Sequence, residues 1–476
     1  MKTNRFSYLF DTDSYKVSHY KQYPPGTTSM FSYIESRGGE YPETIFFGLQ
    51  YYLKEYLSHR VTIEEVEKAK ELFAVHGEPF NYDGWMYIAK DLEGKIPVRI
   101  RAPQEGSIIP THNILVSIES TDPKVFWIVS WIETMLLRVW YPITVATRSN
   151  TIRQIILEAL RVSADDPEGE INFKLHDFGS RGVSSQESAM IGGASHLINF
   201  MGSDTVVGIL MANEYYNEPM AGFSIPAAEH SSITSWGKEN EVEAYRNMLK
   251  QFAKPGALVA CVSDSYNLWN ACSKLWGEEL RQEVIDSGAV VIIRPDSGHP
   301  PSVVLKCVQL LEEKFGTIIN KRGYKVLNNV RVIQGDGINE HSIKEILNTL
   351  MDSGYSATNI AFGMGGALLQ QVNRATEKFA MKCSHIFIGN KSVDVFKDPV
   401  TDPGKASKAG RLDLAFDDRG GYETVPLFED EIAHKRSVMR TVYENGEILF
   451  ETTFAKIRSK AREDEARVAS FNKLNY

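Results

Sequence analysis

Short apolar runs alternate with helical patterns through the second half of the chain, and each run ends in glycine or polar residues. Seven runs follow this rule: residues 173–181, 205–213, 223–230, 258–264, 290–296, 330–336 and 359–366. Apolar strands separated by amphipathic helices are typical of parallel sheets covered on both faces. The pattern predicts an α/β fold with a barrel-like parallel core, whose chemistry lies at the carboxyl ends of the strands.

The segments between and before these runs predict the remaining elements. Helices are expected at residues 50–57, 61–74, 184–200, 239–252, 265–276, 301–315, 341–351 and 367–376, and further strands at 96–102 and 114–118. The helix at 184 begins with Ser184 and Glu187 in the spacing of a capping box. Residues 379–396 predict a hairpin that turns at Gly389-Asn390. We therefore expect an α+β domain over 1–150, a barrel-like domain over 151–400 and a basic loop with a C-terminal segment over 401–476.

Composition limits the classes of function. A chain of 476 residues with 43% hydrophobic and 24% charged residues has the composition of a globular protein of more than one domain. Its formal charge of −9 provides no general attraction to nucleic acid or to anionic lipid, so a few focused basic residues must hold any anionic ligand. We expect no nucleic-acid partner and no membrane partner.

Cysteine spacing and the start of the chain bear on the compartment. The four cysteines are far apart and have no metal-type spacing, which favours reduced thiols. Asp11 and Asp13 lie where a signal peptide needs an apolar core. The most apolar segment, residues 125–146, contains Glu133 and Arg138 and is too short to span a bilayer. These features predict a cytoplasmic protein.

One histidine stands out among the strand ends. His230 closes one run, Glu229 precedes it, and Asp264 closes the next run along the chain. An imidazole beside carboxylates can act in catalysis or accept a phosphoryl group. The alternative is a structural histidine, whose ring only satisfies local hydrogen bonds.

Two arginines follow other strands. Arg294 and Asp296 are separated by one proline, and Arg181 follows the first run. A guanidinium group suits a diphosphate, and a carboxylate suits ribose hydroxyls or a hydrated magnesium ion. The alternative for the first pair is an internal salt bridge. Two arginines at strand ends of an acidic chain favour an anion site.

Glycines and aromatic residues complete the candidate set. Gly335-Asp336 and Gly365-Gly366 follow the last two runs, where backbone amides can approach a phosphate. Glycine is also used in tight turns for steric reasons alone. Arg374 and Lys382 lie just beyond and add positive charge. Phe178 and Tyr15 offer flat faces to a heteroaromatic ring, and Asp204 offers an acceptor at the ring edge, although core packing is the alternative for each aromatic residue.

Nine motifs, in order and spacing, carry a resemblance to a known family. They are TDSYKVSHYKQYPP, KLHDFGSRGVSSQE, GSDTVVG, PAAEHS, SDSYN, IIRPDSG, VIQGDG, NIAFGMGGALLQ and VFKDPVTDPGKASKAGRL. Together they resemble the nicotinamide phosphoribosyltransferases, a type II phosphoribosyltransferase family, from the start of the chain to about residue 412. The resemblance implies attack by the pyridine nitrogen of nicotinamide on C1 of 5-phosphoribosyl-1-diphosphate, which yields nicotinamide mononucleotide and diphosphate for NAD salvage.

The resemblance also implies roles for individual residues. The diphosphate would be held by Arg181, His230 and Arg294, and the ribose or its metal by Asp264 and Asp296. The ribose 5-phosphate region would be held by Gly335, Asp336, Gly365, Gly366 and Arg374. The pyridine ring would lie between Phe178 and Tyr15 of the partner subunit, with Asp13 nearby, which implies an obligate homodimer. Phosphates reaching from the neighbouring subunit would meet Arg37, Lys382, Lys397 and Lys405.

The resemblance further implies two small-molecule requirements. His230 would be phosphorylated by ATP as a coupled co-substrate, and Mg²⁺ would be held mainly by the diphosphate, with Asp264 and Asp296 as possible protein ligands. Ser180, Ala260 and Met364 depart from the family pattern, and we expect Ala260 and Met364 to reshape the substrate channel.

Asp204 predicts the choice of pyridine. A carboxylate that accepts from a neutral amide repels the carboxylate of nicotinate, so nicotinamide is the expected substrate. Two alternatives remain open: a nicotinate phosphoribosyltransferase, and a non-catalytic nucleotide-binding protein on the same scaffold.

Overall fold

A computed structural model describes residues 7–402, 405–427 and 436–474. The chain forms two compact units. The barrel unit comprises Arg148–Asn213 and Pro219–Val372, and the sheet unit comprises Met1–Thr147, Glu214–Glu218 and Asn373–Tyr476. This division departs from the expected boundary at residue 400. Residues 373–400 belong to the sheet unit because their long strand pairs with the first strand of the chain.

Strands of the described residues are named here in chain order. They are β1 Thr27–Glu35, β2 Glu43–Ile45, β3 Val98–Ala102, β4 Ile108–Pro110, β5 Ile114–Ser120, β6 Leu175–Asp177, β7 Gly202–Ser203, β8 Leu258–Val262, β9 Val290–Arg294, β10 Thr317–Ile319, β11 Lys325–Leu327, β12 Val330–Gln334, β13 Ile360–Met364, β14 Ala380–Ile388, β15 Lys391–Asp394, β16 Leu412–Phe416, β17 Tyr422–Pro426, β18 Arg440–Glu444 and β19 Glu447–Ile448.

Helices of the same residues are named in the same way. The α-helices are α1 Leu49–Tyr52, α2 Ile63–His76, α3 Tyr82–Lys90, α4 Ile128–Trp131, α5 Glu133–Leu137, α6 Trp140–Ser163, α7 Pro167–Glu170, α8 Gln186–His196, α9 Val206–Tyr216, α10 His230–Thr234, α11 Glu241–Phe252, α12 Leu268–Asn270, α13 Arg281–Ser287, α14 Pro300–Phe315, α15 Glu340–Asp352, α16 Gly366–Leu369 and α17 Phe454–Leu474. Short 3₁₀ turns cover Ser14–Lys21, Pro123–Val125, Ile171–Phe173, Ser180–Gly182, Lys238–Asn240 and Ala357–Asn359, and π-helical turns cover Leu53–Leu57 and Ala271–Glu279.

The barrel unit is built on a parallel sheet of six strands. Their order is β7-β6-β13-β12-β9-β8. Five of the predicted runs contain strands of this sheet, namely β6, β8, β9, β12 and β13. Their residues are buried in nearly unbroken series, as in Val290–Arg294 and Ile360–Met364. Helix α14 covers the sheet with Val304, Cys307, Val308 and Leu311, spaced three and four residues apart. The predicted α/β core is confirmed.

The run at residues 223–230 is not a full strand. Its backbone makes single parallel bridges at both edges of the sheet, from Phe223 to Gly202 and from Ala227 to Ala260. The proline at 226 lacks the N–H that a regular ladder needs. The segment therefore links β7 to β8, and His230 is the first residue of α10 rather than the last residue of a strand.

The run at residues 205–213 is a helix, so that strand prediction is wrong. A short apolar run can belong to a buried helix as well as to a strand. Here α9 approaches α8 closely, because a Cβ on Gly208 would lie 2.7 Å from the carbonyl carbon of Gly193. The strand of this repeat is instead the two-residue β7, just before the run.

Two details of the helix predictions also need correction. The N-cap of α8 is Ser185, whose hydroxyl accepts from the N–H of Ser188, so the expected capping box at Ser184 is displaced by one residue. Helix α16 spans four residues and not ten, because the chain leaves helical geometry after Leu369.

The sheet unit contains a seven-stranded sheet in the order β15-β14-β1-β5-β3-β18-β19. The predicted hairpin at 379–396 is confirmed as β14 and β15, paired antiparallel. The predicted strands at 96–102 and 114–118 correspond to β3 and β5. Aromatic residues such as Trp85, Trp127 and Trp131 pack edge to face within this unit.

The apolar segment at 125–146 divides into three helices. The chain breaks before Trp140, and the proline at 142 lies in the first turn of α6, where its missing N–H costs no helical hydrogen bond. None of the helices within the described ranges combines the length and the apolar character needed to cross a membrane.

Candidate active site

The interior of the barrel unit encloses a cavity of about 600 Å³. Its wall is mainly apolar and includes Phe178, Ile225, Ala260, Ile292 and Ile333, which extend from consecutive elements of the sheet. Asp204, Ser224 and Arg294 contribute polar groups to the wall. An apolar cavity with a few polar groups suits a flat aromatic ligand that carries one polar substituent.

A second set of polar groups lines the same cavity. Lys174, buried on the first turn before β6, donates to Glu170 and to the carbonyl of Thr358, each at 3.0 Å. Burial lowers the pKa of Lys174 and also that of Arg331, another lining residue. Both side chains find hydrogen-bond partners within the wall, Arg331 at the carbonyls of Leu327 and Val330.

Strand register brings His230 to two carboxylates. Val262 pairs with Arg294 in the parallel ladder, so Asp264 and Asp296, each two residues further on, leave β8 and β9 side by side. His230 Nε2 lies 3.1 Å from Asp264 Oδ1, and its Nδ1 lies 4.0 Å from Asp296 Oδ2. The predicted cluster of His230, Asp264 and Asp296 is therefore formed.

Asp264 is a buried carboxylate with three donors. Burial alone would raise its pKa, but hydrogen bonds from Ser297, from His230 and from the N–H of Asp296 outweigh burial and lower the pKa. Ser297 Oγ donates to Oδ2 at 2.6 Å, and the N–H of Asp296 donates to the same oxygen at 3.0 Å. An ionised carboxylate only accepts, so Nε2 of His230 carries a proton in this contact, and in a neutral ring the lone pair is then on Nδ1.

Arg294 extends from the end of β9 beside the histidine. Its terminal nitrogen lies 3.9 Å from Asp296 Oδ2, and its Nε is buried without a hydrogen-bond partner in the described part of the chain. Nitrogen and oxygen at this separation interact as charges without a close hydrogen bond. The internal salt bridge is thus weak, and the guanidinium retains donors for an anion.

Arg181 lies on a different part of the sheet edge. It belongs to the exposed turn Ser180–Gly182 after β6, where a Cβ on Gly182 would lie 3.2 Å from Gly366. Strands β6 and β9 are three spacings apart in the sheet, or roughly 14 Å. Arg181 and Arg294 therefore lie at separate positions along the same edge of the sheet. That both bind one diphosphate stays a prediction.

Phe178 packs with one ring edge toward two glycines on neighbouring strands. A Cβ on Gly363 would lie 1.9 Å from Cε2 of the ring, and a Cβ on Gly335 would lie 3.6 Å from the same atom. Gly335 also lies beside Asp296, whose Oδ1 would be 3.4 Å from that Cβ. The ring, Asp296 and the glycine loop at 335 are thus brought together.

The remaining candidate glycines have room for a side chain. A Cβ on Gly365 or on Gly366 would meet other atoms only at 3.6 Å and 3.9 Å, which is ordinary contact. Neither residue adopts the positive φ that favours glycine, since Gly365 has a φ of −95°. The space around these two residues therefore does not require glycine, in contrast with Gly363. Asp336, in the adjacent loop, is exposed.

Asp204 follows β7 and shares the cavity wall with Ser224. The hydroxyl of Ser224 donates to Asp204 Oδ1 at 2.6 Å. The backbone N–H of Asp204 donates to the carbonyl of Asp177 at 2.9 Å, which fixes it to the end of β6. One carboxylate oxygen is thus occupied, and Oδ2 is the oxygen that remains to accept from a ligand.

Of the three departures from the family pattern, one lies in the cavity wall. Ala260 lines the cavity. Met364 is 1% exposed and is not among the lining residues of the described chain, so its effect on the channel stays a prediction. Its carbonyl instead accepts from the N–H of Phe178. Ser180 begins the turn that contains Arg181.

Tyr15 and Asp13 belong to the sheet unit. Tyr15 is 58% exposed in the first 3₁₀ turn, with its ring against that of His19. That turn is anchored by Lys16, which donates to Glu133 at 2.7 Å, while Asp13 accepts from the hydroxyl of Thr134 at 2.7 Å. An exposed aromatic ring on an anchored turn is suited to contact another molecule.

The other predicted basic residues also lie in the sheet unit. Burial lowers the pKa of Lys382, with Glu133 opposing and the positive charges of Arg37 and Lys397 adding to the effect. Arg37 Nη1 is buried without a hydrogen-bond partner within the described ranges. Arg374 donates to the carbonyl of Phe379 at 2.7 Å. Three of the predicted cations therefore form one basic cluster, which an anion would stabilise.

Lys405 is engaged locally. Its ammonium lies 2.9 Å from the carboxylate of Asp402, and both side chains are exposed. An exposed pair of this kind contributes little to stability, so the ammonium can exchange its partner.

Metal binding by protein groups alone has little support. Across the residues that the structure describes, no group of three or more His, Cys, Asp or Glu side chains is arranged to hold a metal ion. Both oxygens of Asp264 are engaged by donors, which leaves Asp296 as the carboxylate of this cluster that can reach a metal. A cation would therefore have to bring most of its ligands with it, as a diphosphate complex does.

Two serines in the site were not assigned roles from the sequence. Ser297 holds Asp264, and Ser224 holds Asp204. Ser297 directly follows Asp296 in a recognised motif, which was the available signal. Ser224 has no such signal, because its partner is twenty residues away in the chain.

Comparison with known proteins fits this geometry. The model of the nicotinate phosphoribosyltransferase (NAPRTase) family matches residues 173–447, and the model of the nicotinamide phosphoribosyltransferase N-terminal domain matches residues 7–100. The chain belongs to the nicotinate phosphoribosyltransferase family. It is accordingly an enzyme of the phosphoribosyltransferase class, and its α/β fold is the one expected for a type II member.

Individual relatives of this family are close in sequence. A nicotinamide phosphoribosyltransferase of Xanthomonas campestris pv. campestris is 56% identical over 463 residues, which cover 97% of this chain and 98% of that protein. A nicotinamide phosphoribosyltransferase of Mycoplasma pneumoniae is 30% identical and covers 85% of this chain and 95% of that protein.

Solved structures of the family share the fold. Nicotinate-nucleotide pyrophosphorylase from Pyrococcus furiosus matches with a TM-score of 0.58 and 18% identity, covering 98% of this chain and 99% of that one. Human nicotinic acid phosphoribosyltransferase matches with a TM-score of 0.57 and 16% identity, covering 96% and 94%. At these identities the likeness shows the fold alone.

Proposed function

We propose that the enzyme transfers the 5-phosphoribosyl group from 5-phosphoribosyl-1-diphosphate to nicotinamide, giving nicotinamide mononucleotide and diphosphate. The observation that carries the proposal is the cluster of His230, Asp264, Asp296 and Arg294 at the strand ends, together with Phe178 and Asp204 in the wall of the adjoining cavity. The 56% identical relative named for this activity supports it.

Acceptor choice follows from Asp204. Its free Oδ2 can accept an N–H of the nicotinamide carboxamide, while Ser224 occupies Oδ1. The carboxylate of nicotinate would face this negative group and be repelled. Phe178 offers one face to the ring, and the apolar wall excludes water from it.

The other end of the site binds the charged groups of the donor, 5-phosphoribosyl-1-diphosphate. The ribosyl–diphosphate bond breaks with oxocarbenium character, and the departing diphosphate gains negative charge. Arg294, with Arg181 and the open amides near Gly365 and Gly366, provides donors for this charge. Because the nucleophile is a neutral pyridine nitrogen, positioning and electrostatics contribute more than a strong base.

Coupling to ATP is assigned to His230. The lone pair on Nδ1 attacks the γ-phosphorus, the N–P bond forms, and the P–O bond to ADP breaks. Asp264 stabilises the positive charge on the ring through Nε2–H. Hydrolysis of the phosphohistidine then returns phosphate and the lone pair, so each turnover can consume one ATP.

Magnesium enters this scheme with the diphosphate. A hard cation prefers oxygen ligands, and the phosphate oxygens together with Asp296 supply them. When bound, Mg²⁺ neutralises part of the charge on the leaving group.

A homodimer is the proposed assembly. Tyr15 is exposed on an anchored turn, and the basic cluster around Lys382 includes an unpaired buried guanidinium nitrogen. Both features suit a site completed by a second copy, in which Tyr15 of the partner subunit covers the pyridine ring and Arg37 and Lys397 of the partner subunit meet phosphates.

The test is a product assay. Purified protein is incubated with phosphoribosyl diphosphate and Mg²⁺, with nicotinamide or nicotinate, and with or without ATP, and the products are separated by chromatography. We expect nicotinamide mononucleotide as the main product and a higher yield with ATP. Equal rates with both pyridines would favour the nicotinate alternative, and no turnover would favour a non-catalytic nucleotide-binding protein.

A further inference from the structure

We propose that Ser297 is a positioning residue that orients His230 through Asp264. Its hydroxyl donates to Asp264 Oδ2 at 2.6 Å, while Asp264 Oδ1 receives Nε2 of His230 at 3.1 Å. Ser297 thus acts on an oxygen that the histidine does not touch. The proposal rests on the proposed function of His230 and adds the group that sets its orientation.

The geometry of the carboxylate explains the effect. Asp264 has two donors on Oδ2, the Ser297 hydroxyl and the N–H of Asp296, and one on Oδ1. With Oδ2 held from two directions, the carboxylate plane has little freedom to rotate. Oδ1 then points at the imidazole and keeps the proton on Nε2, which leaves the lone pair on Nδ1.

The backbone after Ser297 supports this placement. Gly298 adopts a φ of +89°, a conformation that L side chains disfavour, and the chain turns there into α14. The 2.6 Å contact involves an ionised acceptor, and hydrogen bonds to charged groups are stronger than neutral ones. The side chain of Asp264 is 5% exposed, so water does not replace the serine easily.

The charged surroundings of Asp264 offer no simple substitute for the Ser297 hydroxyl. Among the ionisable residues here, His230 contacts Asp264 at 3.1 Å and Asp296 donates its backbone N–H to it, while Arg294 lies 3.9 Å from Asp296. Only a donor on Oδ2 can hold the carboxylate without competing with the histidine for Oδ1. Loss of the hydroxyl therefore changes the ring tautomer before it changes the fold.

The first experiment reads the ring directly. Protein labelled with ¹⁵N-histidine gives long-range ¹H–¹⁵N spectra, in which the His230 signals are those lost in His230→Gln. We expect a single Nε2–H tautomer in the wild type and exchange-averaged nitrogen shifts in Ser297→Ala. Ser297→Thr should restore the wild-type shifts. Ser302→Ala is the matched control, because Ser302 contacts His299 in the same segment and not Asp264.

The second experiment reads turnover. With ATP present, kcat/KM for mononucleotide synthesis in Ser297→Ala should fall about tenfold, with recovery in Ser297→Thr and no change in Ser302→Ala. Wild-type shifts and wild-type kinetics in Ser297→Ala would overturn the positioning role. A wild-type protein that forms no mononucleotide would instead contradict the proposed function, and the tautomer comparison would still decide the role of Ser297.

Discussion

Gly363 and Phe178 lie so close together that a side chain on residue 363 has no room. A Cβ there would be 1.9 Å from Cε2 of the ring and 2.3 Å from Cδ2. The N–H of Phe178 also donates to the carbonyl of Met364 at 3.0 Å, so backbone and ring are both fixed against β13. The orientation of the ring thus depends on the lack of a side chain on the neighbouring strand.

We predict that Gly363→Ala displaces the Phe178 ring. The added methyl group must push the ring out of its position because the adjoining backbone is part of a central strand. The KM for the pyridine substrate should rise about tenfold, and the free energy of unfolding should fall by about 1–3 kcal/mol. Steady-state kinetics and urea unfolding measure the two effects.

A double variant separates the steric cause from other causes. Leucine at 178 removes the ring atoms that collide, so Phe178→Leu/Gly363→Ala should be more stable than the sum of the single changes implies. Its activity should stay low because the flat face is missing. Normal kinetics in Gly363→Ala would contradict the proposed contact between Phe178 and the pyridine.

Asp204→Ser tests the choice of acceptor. Removing the carboxylate eliminates both the acceptor for the carboxamide and the repulsion of nicotinate. The ratio of kcat/KM for nicotinamide to that for nicotinate should fall by about tenfold or more. Both pyridines are assayed at saturating phosphoribosyl diphosphate. Asp286→Ser, an exposed position on α13, is the control for the same chemical change.

An unchanged ratio in Asp204→Ser would show that another group selects the pyridine. Ser224→Ala then provides an independent test of the Asp204 carboxylate, since Ser224 donates to one of its oxygens. We expect Ser224→Ala to raise the KM for nicotinamide less than Asp204→Ser does.

Much of the barrel unit was predictable from local pattern. The runs ending at Asp264, Asp296, Asp336 and Gly366 form strands because buried parallel strands are continuous in apolar residues, a property visible in one sequence. The polar residues at the ends of the apolar runs also predicted that His230 lies close to Asp264 and Asp296. The register of β8 and β9 places the two aspartates side by side, and the bridge from Ala227 to Ala260 brings the segment before His230 to β8.

Two strand predictions were incorrect for physical reasons. Residues 205–213 and 223–230 are both short apolar runs, and pattern alone does not distinguish a buried helix from a strand. In the first, Gly208 approaches Gly193 on the preceding helix closely, a contact between two elements that the local pattern does not show. The run at residues 223–230 is neither a buried helix nor a full strand, because its pairing is limited to one bridge at each edge of the sheet.

Partners across the fold were not predictable. The hydroxyl of Ser297 and the missing side chain of Gly363 matter only because other strands place Asp264 and Phe178 beside them. Gly363 belongs to the glycine-rich motif NIAFGMGGALLQ, and in the structure it lies in β13 and leaves room for the Phe178 ring. Local sequence cannot separate these roles without the neighbouring strands.

We predict that two inactive variants restore activity when they form mixed dimers. Tyr15→Ala removes the group offered to a partner, and His230→Asn disables the site of its own chain. A mixed dimer with shared sites has one intact site of two, so the purified mixed species should have roughly half of the wild-type activity per dimer. The variants are co-expressed with different affinity tags and the mixed species is purified.

The control for this mixing is a pair from one site. His230→Asn mixed with Phe178→Ala should recover no activity, because both changes then damage the site built by the same unit. Recovery in that pair, or none in the first pair, would argue against the partner role of Tyr15.

Asp177 predicts a pH-dependent change in stability. Burial raises its pKa from 3.8 to about 6, and its Oδ2 is buried without a hydrogen-bond partner in the described chain. A carboxyl whose pKa is raised by folding destabilises the folded state as pH rises from the unfolded value to the folded value, and the cost is constant above that. The shift corresponds to about 3 kcal/mol at pH 8.

Asp177→Asn carries no charge, so the free energy of unfolding of the variant minus that of the wild type should grow by about this amount between pH 4 and pH 8. Any fixed cost of the new amide cancels in that difference. Urea unfolding across the pH range measures it, with Asp286→Asn as the exposed control, and a difference independent of pH would refute the assignment.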